Sequence, residues 1–173
     1  MASAEIRPAL ERDLFDLVSI YNHYVTGSHV TFDTEPFSVA ERLPWFEVFS
    51  TSGPYRLFVA ELDSHTVGYA SSREFRSKRA YSCSVETSIY LDPGFVGRGI
   101  GGSLLAALLE ALESEDGVHR AYGGIALPNP RSVALHRRFE FRLAGTFREV
   151  GHKFGKYWDV SWYEKDCSRG NAA

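Results

Sequence analysis

A mixed-sheet α/β fold follows from three features of this 173-residue chain. Segments with strand and helix periodicity succeed one another in the order β-α-α-β-β-β-α-β-α-β-β. A glycine-rich turn lies between a strand and a strongly apolar helix. No internal repeat, linker or low-complexity run interrupts the pattern, which predicts one domain over residues 1–173, with a core from about 4 to 166 and a polar C-terminal tail. Successive strands joined by short turns make the expected sheet mixed but mostly antiparallel, flanked by helices.

Each element has a local cause. Residues 4–8 (AEIRP) read as a short strand, and Leu14, Leu17, Val18, Tyr21 and Val25 then follow at helical spacing. The stretch 27–37 carries Gly, Thr, Asp and Pro and reads as a loop. Ser38 caps a second helix, with Glu41 three residues on completing a capping box, and Pro44 limits its length. YRLFVAEL (55–62) and HTVGYASSREF (65–75) read as a hairpin about Asp63-Ser64, and CSVETSIYL (83–91) as a third strand. After the turn comes a helix with Leu104, Leu105, Leu108, Leu109 and Leu112 on one face. HRAYGGIAL (119–127) is another strand despite two glycines. Asn129-Pro130 gives an N-cap and a Pro at the first helical position, starting a short helix through Phe139. Strands near 141–150 and 153–165 close the chain.

Composition removes several classes. A net charge of −3 and a pI near 6.1 supply no basic field for nucleic acid. No stretch approaches the roughly 18 apolar residues that span a bilayer, and the start has no signal-peptide core. Cys83 and Cys167 lack metal-ligand or disulfide-framework spacing, so no metal is expected and a reducing, cytoplasmic setting is.

The turn Val96-Gly97-Arg98-Gly99-Ile100-Gly101-Gly102-Ser103 is the most informative stretch. Glycines let backbone N–H groups approach a ligand, and the helix start adds donors without intrahelical acceptors, a setting suited to pyrophosphate. A plain strand-to-helix turn explains one glycine, but less well four between 97 and 102. A P-loop needs Gly-Lys-Ser/Thr, and there is no lysine. Gly97, Gly99 and Gly102 fit G-x-G-x-x-G, yet the stretch from Val118 to Leu127 holds no acid to take a ribose, which disfavours a dinucleotide.

With this turn the chain resembles the GNAT superfamily of N-acetyltransferases, whose pyrophosphate loop reads Q/R-x-x-G-x-G/A. Val96 stands where Gln or Arg is usual, and Arg98 is the candidate to supply the missing polar contact. IRPALERDLFDLVSIYNHYV, TFDTEPFS, SVETSIYLDP, LPNPRSVALHRRFEF and GHKFGKYWDVSWYEKD follow in family order. Together they resemble the phosphinothricin and methionine-sulfoximine acetyltransferase subfamily from about residue 4 to 166. The resemblance implies acetyl-CoA as co-substrate, a GNAT-type fold and, commonly, a homodimer. Trp158, Trp162 and Tyr163 are candidates for that interface, although core packing explains them equally well. Phe139-Glu140-Phe141 departs from the family's Gly-Phe/Tyr turn, with Glu140 in the glycine slot.

Acetyl transfer to an amine needs a base to collect the ammonium proton. Glu86 lies mid-strand, where Glu is depleted, on one face with Ser88 and Tyr90. A solvated position explains it equally well from the pattern alone; the resemblance, which sets the subfamily's proposed glutamate at this V-E-x-S-x-Y position, decides for base. His136 occupies the place from which the resemblance suggests protonation of the leaving thiolate, against a surface histidine near a helix C-terminus. The pyrophosphate is expected on residues 97–103 (Gly97, Arg98, Gly99, Gly101, Gly102, Ser103), with the pantetheine arm beside Ile89 and Leu91, whose N–H groups are the candidate oxyanion donors. Asn129 is a further coenzyme contact, although capping already explains it.

Arg73, Arg76, Lys78 and Arg79 form a basic cluster followed by Tyr81. A solvated loop is the plain reading; a clamp for an anionic acceptor is the functional one. By resemblance, Arg76, Lys78, Phe32, Tyr81 and Tyr90 contact an amino-acid-like acceptor, with Arg and Lys exchanged relative to the subfamily. Two rival functions share the fold: a non-catalytic acyl-CoA sensing module, and an acetyltransferase for protein N-termini.

Overall fold

In a computed structural model, which describes residues 4–168, the chain runs through β1 (Glu5–Pro8), α1 (Leu14–Gly27), α2 (Val39–Phe46), β2 (Leu57–Leu62), β3 (His65–Glu74), β4 (Ser84–Leu91), α3 (Ile100–Glu113), β5 (Arg120–Ala126), α4 (Pro130–Arg138), β6 (Arg142–Lys153) and β7 (Lys156–Asp166). The seven strands form one sheet in the order β1-β2-β3-β4-β5-β7-β6. Every neighbouring pair is antiparallel except β4 and β5, which run parallel because α3 carries the chain back between them. The expected order of elements and the mixed sheet are both present.

Two apolar layers hold the sheet. Leu104, Leu105, Leu108 and Leu112 of α3 are fully buried with Val85, Ala121 and Ile125 on one face. On the other face, Leu17 and Ile20 of α1 pack on Val59 and Tyr69. Burying each aliphatic side chain contributes roughly 1.5–3 kcal/mol, so these rows fix which face of each strand turns inward. The capping box forms as the spacing predicts. Glu41 N–H donates to Ser38 Oγ at 3.3 Å, and Ser38 N–H donates to Glu41 Oε2 at 2.7 Å.

The C-terminal hairpin differs from its expected bounds. β6 continues through Gly151, His152 and Lys153, and the turn is Phe154-Gly155, both with positive φ. Gly151 reads as a break but serves packing: a Cβ there would lie 2.1 Å from the Phe32 ring. Lys153 is buried and its Nζ donates to the Thr31 carbonyl at 2.8 Å, so the hairpin tip holds the loop after α1. His29 stacks on Trp158 in the same contact, at 4.0 Å between centroids.

Two of the three rings proposed for an interface are otherwise engaged. Tyr163 is buried and Trp158 lies under His29. The exposed apolar side chains of the hairpin are instead Leu143, Phe147, Val150, Phe154 and Tyr157. The polar tail starts later than residue 166, because Cys167 is 1% exposed and its N–H bonds to the His119 carbonyl. Residues 169–173 lie outside the described residues. Among the described residues no helix is long and apolar enough to cross a membrane.

Candidate active site

The parallel pair at the centre of the sheet is incomplete. β4 and β5 are in register only from Ser84↔Arg120 to Glu86↔Tyr122, although both strands continue. Beyond Glu86 they part, leaving a wedge-shaped cleft of about 280 Å3. Ile89 and Leu91 form one wall, Ile125 and Ala126 the other, and α4 closes the back with Asn129, Leu135 and His136. Asp92 N–H donates to the Val67 carbonyl of β3. Strand alternation therefore turns the amides of Tyr90 and Ser88 toward β3 and those of Ile89 and Leu91 into the gap. Both proposed oxyanion donors thus face the cleft.

The glycine turn stands at the open end. Gly97 and Gly99 have φ of +87° and +85°, a left-handed backbone that other residues adopt at a cost of roughly 1–2 kcal/mol. Nothing lies within 4 Å of where either Cβ would stand, so these glycines serve the backbone path and leave the approach open. The Gly99 carbonyl accepts from Gly102 and Ser103, whose amides are thereby engaged. Ile100 and Gly101, the first two helical residues, have no intrahelical acceptor for theirs. Gly101 is buried against Leu91 and Leu135, which lets α3 start beside the cleft wall. Val96 lines the cleft, while the Arg98 guanidinium lies over Phe95, 4.8 Å from the ring centroid. This donor set suits a pyrophosphate joined to an apolar arm, which is how acetyl-CoA fits the residues present. Among the described residues no cluster of metal ligands occurs.

Glu86 sits where the strands separate. It is half-buried, and burial raises its carboxyl above the ordinary value, with Arg76 and Arg73 pulling the other way. A carboxylate moved toward neutrality is better matched to removing a proton near pH 7 than an exposed one.

His136 is 5% exposed, which overturns the reading of it as a surface histidine, although the other residues of its helix are exposed or half-buried. Its Nδ1–H donates to the Ser132 carbonyl at 2.8 Å, which assigns the lone pair of the neutral ring to Nε2. Burial lowers its pKa and the Ser132 bond acts against that. The ring fits because residue 123 is glycine: a Cβ there would stand 2.7 Å from Nε2. Asn129 Oδ1 accepts from Ser132 N–H at 3.1 Å, fixing the start of α4 while its side chain lines the cleft.

The acceptor candidates occupy different places. Tyr90 lines the cleft and packs among Tyr21, Tyr24 and Tyr69. Phe32 is half-buried on Gly151. Arg76 lies over Phe75 at 4.5 Å and is close enough to Glu86 to lower its pKa. Lys78 and Tyr81 are exposed on the loop between β3 and β4. Phe75 and Tyr122, neither singled out in the sequence, and Trp162, expected there only as an interface candidate, surround the Glu86 end; the register Glu86↔Tyr122 is non-local, and no spacing within one segment announces it.

Comparison with known proteins supplies a family. Residues 17–141 match the family described as Acetyltransferase (GNAT) family. A phosphinothricin N-acetyltransferase of Streptomyces coelicolor is 54% identical over 166 residues, 95% of this chain and 96% of that one. An L-methionine sulfoximine/L-methionine sulfone acetyltransferase of Pseudomonas paraeruginosa is 32% identical over 94% of each. Among solved structures, a phosphinothricin acetyltransferase from Sinorhizobium meliloti in complex with acetyl-CoA superposes with a TM-score of 0.92 at 32% identity, covering 99% of this chain and 92% of that one.

Proposed function

This chain belongs to the acetyltransferase (GNAT) family and is an acetyl-CoA-dependent N-acetyltransferase; from that premise we propose that its acceptor is a small amino-acid-like amine of the phosphinothricin, methionine sulfoximine or methionine sulfone type. The observation that carries the reading is the half-buried Glu86 at the point where β4 and β5 part, with its pKa raised and Arg76 beside it. The names of the relatives support the acceptor class.

Bound acetyl-CoA supplies an activated acyl thioester. The amides of Ile100 and Gly101, with Gly97 and Gly99 leaving the approach clear, hold its pyrophosphate, and Ile89 and Leu91 line its pantetheine arm. Glu86 removes a proton from the acceptor ammonium, directly or through water, while Arg76 holds the acceptor's anionic group. An Ile89 or Leu91 N–H stabilises the negative charge that grows on the carbonyl oxygen, a contribution of about 3 kcal/mol. His136, with its Nε2 lone pair free, takes up the second proton that the amine nitrogen loses after attack and passes it to the departing thiolate. Both substrates are held together in a ternary complex, so no acyl-enzyme is required. Phe32, Tyr81 and Tyr90 bound the acceptor, and Lys78 adds positive charge at the entrance.

A homodimer in the cytoplasm is part of the same reading. The five exposed apolar residues of the β6–β7 hairpin support an interface there, and the free thiols of Cys83 and Cys167 suit a reducing compartment.

Thiol release from acetyl-CoA, measured with L-phosphinothricin, L-methionine sulfoximine and L-methionine sulfone against a no-acceptor control, tests the proposal. Acceptor-dependent release with the acetylated amine confirmed by mass is the expected result. Coenzyme binding without transfer to any amine would favour a sensing module. Transfer only to peptide N-termini would favour a macromolecular acceptor.

A further inference from the structure

Trp162 occupies an unusual position in the sheet. Its register partners on both sides are glycines, Gly124 on β5 and Gly145 on β6, so neither neighbouring strand puts a side chain beside the indole. The ring leans to one of these two vacant sides. A Cβ at Gly124 would stand 3.2 Å from the indole, whereas one at Gly145 would meet nothing within 4 Å. The lean is toward β5, and Gly124 is exposed in the cleft.

Two further contacts, with Phe75 and Arg76, tie the indole to the reaction centre. Phe75 meets it edge-on at 5.7 Å and stacks on Tyr122 at 4.4 Å, and Tyr122 is the register partner of Glu86. The Arg76 guanidinium lies 4.5 Å from the Phe75 ring and 5.8 Å from the Trp162 ring. Trp162 remains half-buried, so part of the ring is open to solvent. Tyr163, the next residue, turns to the opposite face and is buried there under α3.

We propose that Trp162 is a specificity-determining residue of the acceptor site, its indole forming the surface on which the aliphatic stem of the acceptor packs while Arg76 takes the anionic group. Gly124 is the residue that admits the ring to that position. This rests on the reading of Glu86 as the point where the amine is deprotonated. It selects acceptors with an unbranched apolar stem ending in an anionic or strongly polar group, because the indole and the guanidinium lie side by side.

The test uses whichever amine gives the fastest thiol release from a panel of the three acceptors above and the common L-amino acids. Trp162→Ala should raise the acceptor KM about tenfold, the scale of losing one aromatic contact, with the acetyl-CoA KM unchanged. Trp162→Phe should recover most of the loss, and Gly124→Val, which tilts the ring without removing it, should reproduce it. The indole N–H resonance missing from Trp162→Phe should shift when wild-type protein is titrated with that amine. Equal rises in both KM values, or an indole signal unmoved at saturating acceptor, would overturn the inference. A best acceptor outside the phosphinothricin class would refute the proposed acceptor class while leaving the Trp162 comparison intact. No release with any amine would remove the basis of both.

Discussion

Replacing Gly123 with Ala tests the seat of His136 with a single methyl group. The new Cβ would stand 2.7 Å from Nε2 and 3.0 Å from Cδ2, whereas ordinary contact begins near 3.4 Å, so the ring must retreat by about 0.7 Å. It has little space to do so. Phe141 and Tyr163 pack at 5.0 and 6.3 Å between centroids, and Nδ1–H is tethered to Ser132 at 2.8 Å. Overpacking of this kind costs about 1–3 kcal/mol, and loosening the hydrogen bond adds about 1 kcal/mol. For a chain of this size the sum lowers the melting temperature by roughly 4–16 °C. If Nε2 relays the amine's second proton to the thiolate, kcat falls by roughly 10- to 100-fold as the ring turns from the cleft. Gly117→Ala, with nothing within 4 Å of the added Cβ, is the matched control and should change neither quantity. Thermal melts and steady-state thiol release read both effects. An unchanged melting temperature would refute the packing calculation; a lowered one with intact kcat would remove His136 from the chemistry.

Glu86→Gln should lower kcat/KM by roughly 100- to 10,000-fold while acetyl-CoA binding, followed by titration calorimetry, stays intact. The same variant should melt higher than wild type at pH 7. Because the folded-state pKa of Glu86 is raised, the unfolded chain ionises first as pH rises, stability is lost from the unfolded value up to the folded one, and Gln escapes that loss. At a pH below the unfolded value the difference should vanish, which melts across an acid-to-neutral series would check. Glu140 holds a left-handed φ of +65° and its carboxylate reaches Lys165 only at 3.6 Å in solvent, so Glu140→Gly should stabilise the fold by about 1 kcal/mol in chemical denaturation. Phe147→Glu, on the exposed ridge of β6, should shift sedimentation velocity toward the monomer with little change in melting temperature.

Much of this architecture is written locally. The leucine row of α3, the Ser38–Glu41 box and the Asn129-Pro130 start each depend on residues a few positions apart, and each forms as its spacing predicts. The Gly97–Gly99 turn was legible for the same reason, whereas the strand pattern alone left Glu86 undecided and only the family resemblance pointed to it. What escaped was non-local. His136 lies on a helix of polar pattern, and its burial depends on a glycine in β5. Gly151 looked like the end of a strand because nothing nearby reveals that Phe32 needs its space. Trp162 gains its role from two glycines on neighbouring strands and a guanidinium from the loop after β3, partners that only the sheet order brings together.

The hairpin tip that clasps the loop after α1 carries a thermodynamic consequence. Lys153, Gly151 and Trp158 belong to the hairpin whose outer residues are exposed, yet they grip Thr31, Phe32 and His29. A second copy covering that ridge would stiffen the segment presenting Phe32, and linkage then works in both directions. Acceptor affinity would depend on protein concentration, and saturating acceptor would tighten self-association by the same factor. Dilution alone would then act as a regulator of the enzyme.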